Sequence, residues 1–495
     1  MSNLAGLYDL IHSLTAAEKR NFRRGTSAYA GSQVLVLFDL LNREERFVKE
    51  PIRRAITEAG FMSNLPTLMD RLRKLLLNSL RSLHSHNSVD SRLLYLLEEV
   101  QILYRRNLPD QALKKIAKAR KLALRFSRIP LALELNYIHR QILLDRNMGG
   151  QAYEEIRTEE SHLLDLARMQ TELDDLHIRA RGVAKSDNAG DTEMIQPFLD
   201  HPQVKKGARS NDFLCRVFAW FTIGVSRYAL QEYSLARAAF AEVMQCWYQQ
   251  PEWINERSRL FLNSVTNYQV CLLNTQSEGF EELDQLHNRF SDHRFREPDV
   301  QLQFERASFQ TRLVLNLNQG RFVEGEALAR QVIRWLEEKS GALAVSTELV
   351  LRYNLFSFFF LQERYSDANA MARAIRQMPM TEDRKDIREF IRMVEPVLQF
   401  ELGNVELLEN LERSLRRYFA KRHRLAPVIP VMLEYYRRRD FGEREAMQEL
   451  FARLQEVTSA SERYHVGDQE LLLWAEARAT HHSLKKLFLD LIQGT

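Results

Sequence analysis

Gly320 and Gly325 stand at the spacing with which a P-loop wraps its backbone N–H groups around phosphate. Glu326 follows where that loop needs lysine, so no phosphate cradle is expected. His481 and His482 are adjacent. On a helix they would point about 100° apart, and they cannot grip one metal ion as an i,i+4 pair would. The run Asp187-Asn188-Ala189-Gly190-Asp191 is acidic but lacks the ligand order of an EF-hand. It reads as a polar turn between helices. No G-x-G-x-x-G, H-E-x-x-H or G-x-S-x-G occurs. Cys215, Cys246 and Cys271 are widely spaced, form no C-x-x-C, and each lies in an apolar, helix-like stretch. That pattern suits buried, reduced thiols in a cytosol. The expectation is a non-enzymatic protein with no cofactor and no metal.

Cationic stripes carry the stronger signal. No acidic residue lies between Asp110 and Glu134, and within that gap Lys114, Lys118, Lys121, Arg125 and Arg128 recur at separations of four, three, four and three. Such spacing puts all five on one helix face, a stripe about 20 Å long. Leu113, Ile116, Ala119, Ala123 and Phe126 are left to face a core. Lys115 and Arg120 broaden the stripe. A second acid-free gap, Glu412 to Glu434, holds Arg413, Arg416, Arg417, Lys421, Arg422 and Arg424, with Tyr418 and Phe419 among them. Lys19, Arg20, Arg23 and Arg24 form a third cluster. These faces suit solvent, an acidic protein surface or nucleic-acid phosphates.

Composition bounds the reading. The 495 residues carry 70 Lys plus Arg against 66 Asp plus Glu, a net charge of +4. So small a charge excludes nucleic-acid binding through bulk charge alone. A hydrophobic content of 45% excludes a largely disordered chain, and 18 Gly with 12 Pro exclude a collagen-like or linker-rich one. The start of the chain lacks the pattern of a signal peptide. The most apolar window, Leu355–Leu361, falls far short of the roughly 20 residues that span a bilayer. The expected location is cytoplasmic, without membrane insertion.

Almost every segment has helical periodicity; Leu94, Leu97, Val100, Leu103 and Tyr104 form one stripe. Asn-Gly and Asp-Gly hairpin signals are absent, and Pro51, Pro109, Pro130, Pro251, Pro298 and Pro379 flank helical runs. Pro396 lies inside an apolar helical run and predicts a kink. Thr15-Ala16-Ala17-Glu18 has the form of a capping box, starting a helix at Ala16 that Gly25 stops. Further helices are expected over 33–41, 51–59 and 66–83. The last two could imitate a helix-turn-helix with Arg71, Arg73 and Lys74 early in the second helix, but Leu72, Leu75, Leu76 and Leu77 suit interior packing.

The helices come in pairs. Within 219–244 stand Trp220-x-x-Ile223-Gly224, then Tyr228, Tyr233, Ala236, Phe240 and Val243, with small Gly224 and Ala236 where two antiparallel helices would cross. This resembles the tetratricopeptide repeat; Arg227 departs from it at a usually aromatic position. Weaker copies follow. The apolar residues that open their second helices are Tyr233, Phe280, Phe322, Tyr365, Val405 and Phe441, separated by 47, 42, 43, 40 and 36 residues. These exceed the roughly 34 of the standard repeat. The block 7–24, LYDLIHSLTAAEKRNFRR, resembles the start of tetratricopeptide proteins of Bacteroidetes bacteria.

The resemblance implies an all-α fold: an N-terminal helical domain over 1–88, then a right-handed superhelical α-solenoid of TPR-like antiparallel helix pairs over 89–495. In such arrays the first helix of each pair lines a concave groove. Carrying the register across places Phe218, Phe221, Val225 and Tyr228 there, then Tyr268 and Leu272, Gln310 and Val314, and Tyr353 and Phe360, with Asn267 and Asn354 beside them. Aromatic rings next to amides suit a protein or peptide partner. The leading expectation is a protein- or peptide-binding scaffold or adaptor whose basic stripes attract an acidic partner. The second is a nucleic-acid-contacting regulator that uses the N-terminal domain and the stripes, with the repeats as ligand sensor.

Overall fold

A computed structural model describes residues 2–493 except 27–31, 45–46, 61, 85–87, 148–149, 185–190, 276, 340, 380–383, 421–424, 439–440 and 461–464. Residues 187–190 of the acidic turn, and Lys421, Arg422 and Arg424 of the second basic gap, fall outside the described residues. Every regular element among the described residues is a helix. The chain divides into two compact units, Met1–Glu232 with Glu242–Arg257, and Tyr233–Ala241 with Ser258–Thr495. The helix Tyr233–Gln249 therefore gives its first half to the second unit and the rest to the first.

The first unit opens with helices Ser2–Ser13, Ala16–Gly25, Gln33–Arg43, Lys49–Glu58 and Leu65–His84. The capping box is formed: the Glu18 N–H donates to Thr15 Oγ1 at 3.2 Å and the Thr15 N–H to Glu18 Oε2 at 2.7 Å. Leu7, Ile11, Phe22, Leu37, Phe38 and Leu72 meet in a core drawn wholly from this segment. Leu72 and Leu76 are buried in it, so the helix bearing Arg71 and Arg73 is a packing helix, while Leu77 is exposed. Helices Val89–Arg105, Pro109–Arg125, Ile129–Asp145 and Gln151–Ala184 follow, each packed on the next. The last, 34 residues long, is covered by Phe213–Ala229, with Leu173, Leu176, Cys215 and Ala219 buried between them.

In the second unit Ser258–Leu273 packs on Ser277–Phe290, Pro298–Asn318 on Phe322–Glu338, and Val345–Phe360 on Tyr365–Gln377. The first helices of these pairs also touch one another in order. Leu355, Phe356, Phe358, Phe359 and Phe360 are all buried, as a helix apolar around its circumference must be. Pro396 ends a helix rather than kinking it. Lys385–Met393 stops, and Glu395–Glu401 starts with the proline in its first turn, where a missing N–H breaks no bond.

One connector recurs in both units. The N–H groups of Leu108, Arg128, Glu232, Arg321, Arg364, Asn404 and His482 each donate to the carbonyl five residues earlier. The residue before each donor has positive φ: Asn107, Ser127, Gln231, Gly320, Glu363, Gly403 and His481. This is the Schellman cap. A new helix begins within two residues, and after the caps at Leu108, Arg128, Arg321, Arg364, Asn404 and His482 it packs back on its predecessor.

Candidate binding cleft

The residues expected to form an aromatic groove are largely engaged in packing. Phe221 is fully buried, its ring edge-on to His177 at 4.5 Å. Phe218 and Tyr228 are half-buried in the same, first unit. In the second unit the Asn267 amide donates to the Asn263 carbonyl at 2.7 Å. Tyr268 is buried with its hydroxyl on Glu282, which also holds Arg237. Gln310 accepts from Arg306 at 2.9 Å. The Tyr353 hydroxyl donates to Glu470 at 2.7 Å, and burial pushes that phenol well above its usual range. Asn354 is half-buried.

The basic stripe is real over four of its five positions. Lys114, Lys118, Lys121 and Arg125 are exposed on Pro109–Arg125, while Ile116, Ala119 and Ala123 are buried beneath. Arg125 pairs with Glu252 at 2.8 Å, and Lys114 lies near Asp110. Among the described residues Lys118 and Lys121 have no ion pair. The flanking Lys115 and Arg120 are neutralised by Glu99 and Glu159 at 2.6 and 2.9 Å. Arg128 leaves the stripe: it is buried and ion-paired to Asp90. The helix ends at Arg125, and the Ser127 cap turns the next residue inward.

Sequence reasoning missed the concavity that the second unit does form. A cleft of about 680 Å³ runs among helices Ser258–Leu273, Ser277–Phe290, Pro298–Asn318 and Phe322–Glu338. Phe304, Phe309 and Trp335 give it apolar wall; Gln269, Asn288, Ser308, Asn316 and Gln331 give it donors and acceptors. The hint in the sequence was Gln301, Ser308 and Arg312 breaking the apolar faces of Pro298–Asn318, a pattern that also fits solvent.

Its charges are mostly spent. Arg321 pairs with Asp284 at 3.0 Å. Glu305 accepts from Trp335 Nε1 at 3.0 Å and from Gln301 at 2.8 Å. Arg294 donates to the carbonyls of Ser291 and His293. Arg312 and Glu324 line the cleft, both exposed, and neither has an ion pair among the described residues. In the wall, His287 Nδ1 stands 3.4 Å from Ser308 Oγ, and its buried Nε2 has no partner. Burial, helped by Arg312, pushes this imidazole down to about 4, so the ring is neutral at pH 7.

Among the described residues no group of three or more His, Cys, Asp or Glu could hold a metal ion, and no helix is long and apolar enough to cross a membrane. The three cysteines are buried free thiols, and burial pushes all three up. No family model, curated protein or solved structure matches the chain.

Proposed function

We propose that this chain is a non-enzymatic scaffold or adaptor that captures a protein or peptide segment, built as a right-handed superhelical α-solenoid of TPR-like helix pairs. The observation that carries the reading is the cleft among four consecutive helices of the second unit, with rings, amides and the exposed charges of Arg312 and Glu324 in its lining. Rings supply contact area at low entropy cost, and amides match the donors and acceptors of a peptide backbone. The recurring Schellman caps and the contacts between first helices of successive pairs support the repeat reading. The site therefore shifts from the groove residues expected from the repeat register to the cleft. The test is selection from a random 12-residue peptide library on the purified protein, repeated with Gln331→Ala and Gln269→Ala combined. Enriched peptides that bind wild type and lose at least tenfold affinity on the variant support the reading. No enrichment over an unrelated helical protein overturns it.

Lys118 and Lys121 favour the second reading, contact with nucleic-acid phosphates, because both are exposed and no carboxylate among the described residues pairs with them. Binding to mixed DNA and RNA that falls steeply with salt supports it; binding without a salt slope, or none, removes it.

A further inference from the structure

We infer that the cleft recognises a carboxylate, held by Arg312, on whatever segment occupies it; the inference rests on the peptide-binding reading and names the chemistry of that site. Of the guanidinium groups lining the cleft, that of Arg321 is committed to Asp284 and that of Arg294 to backbone carbonyls. Among the described residues Arg312 alone of these three has no partner. Its planar fork of N–H donors matches a carboxylate bidentately, and charge-assisted bonds of that kind are about twice as strong as neutral ones. His287 lies nearby and offers a second donor in the tautomer whose proton sits on Nε2. His287 Nδ1 stands 3.4 Å from Ser308 Oγ, and its Nε2 is buried with no hydrogen-bond partner among the described residues. An orphaned polar atom in the wall of a cleft is where an incoming acceptor gains most.

A carboxylate can arrive on an acidic side chain or at a chain terminus, and both are tested without presupposing a peptide partner. The probes are N-acetyl-glutamate N-methylamide, N-acetyl-alanine and the neutral N-acetyl-glutamine N-methylamide. The readout is the imidazole ¹⁵N–¹H signal of His287, assigned by its loss in His287→Asn. At least one carboxylate probe should shift the signal, the neutral one should not, and Arg312→Gln should weaken the effect at least tenfold. Arg312→Lys, which keeps the charge and loses the fork, should fall between. Whichever carboxylate probe acts identifies the source. Equal shifts from the neutral probe, no shift from either acid, or an unchanged response in Arg312→Gln at an unchanged melting temperature would overturn the inference. Library peptides that bind without any acidic or terminal preference overturn it while leaving the peptide-binding reading standing. Response to the small acids without peptide binding does the reverse.

Discussion

The Tyr353 hydroxyl donates to Glu470 Oε1 across 2.7 Å, between residues 117 apart in sequence. Ser357 Oγ donates to the same oxygen at 2.5 Å, and Glu470 is 6% exposed. A tyrosine expected from the sequence to line a groove thus serves as a donor to a buried carboxylate. Tyr353→Phe removes that donor and keeps the ring. It should cost about 1–3 kcal/mol, the penalty for leaving a buried charged acceptor short of a bond. Urea denaturation measures it; an unchanged midpoint would count against a structural role for the hydroxyl.

His177 should make stability depend on pH. Burial, with Arg181 nearby, lowers its pKa from 6.5 to about 4. Below pH 6.5 the unfolded chain binds the proton more readily than the native one. The contribution is therefore complete above pH 6.5 and is lost as the pH falls toward 4. Relative to wild type, His177→Gln should lose about 2 kcal/mol less between pH 7 and pH 5. Parallel pH profiles for the two proteins would contradict the shift.

Two left-handed positions of opposite kind, Gly467 and Gln231, test the backbone. Gly467 has φ 88°, and a Cβ there would meet the Phe390 ring. Gly467→Ala should destabilise by roughly 1–3 kcal/mol, since it combines left-handed strain with a clash in the core.

Gln231 occupies the same left-handed region, φ 61°, on an exposed Schellman cap. There glycine relieves strain, and Gln231→Gly should stabilise by up to about 1 kcal/mol. A lower melting temperature would show that Gln231 makes a compensating contact.

The stripe should split energetically. Lys118→Glu with Lys121→Glu should change stability by no more than about 0.5 kcal/mol, since both are exposed and unpaired. Arg128→Ala should cost on the order of 1–3 kcal/mol, because its buried guanidinium is bonded to Asp90. Thermal melts of the two variants side by side decide it. If the double reversal is the worse of the two, the assigned roles are exchanged.

What the sequence determined is local. Thr15 and Glu18 are three residues apart, and the cap they make depends on nothing farther away. Lys114, Lys118 and Lys121 face solvent because a helix with Ile116, Ala119 and Ala123 buried leaves them no other direction. Helical periodicity stops informing at the helix end. Past the left-handed Ser127 the period no longer holds, so Arg128 turned toward Asp90, 38 residues earlier. Tertiary structure alone decided that Tyr353 would meet Glu470 and that residues from 265 to 335 would enclose a cleft. A polar side chain on an apolar face has the same local pattern whether it meets water, a buried partner or the wall of a cavity. Only the packing of helices remote in sequence distinguishes them.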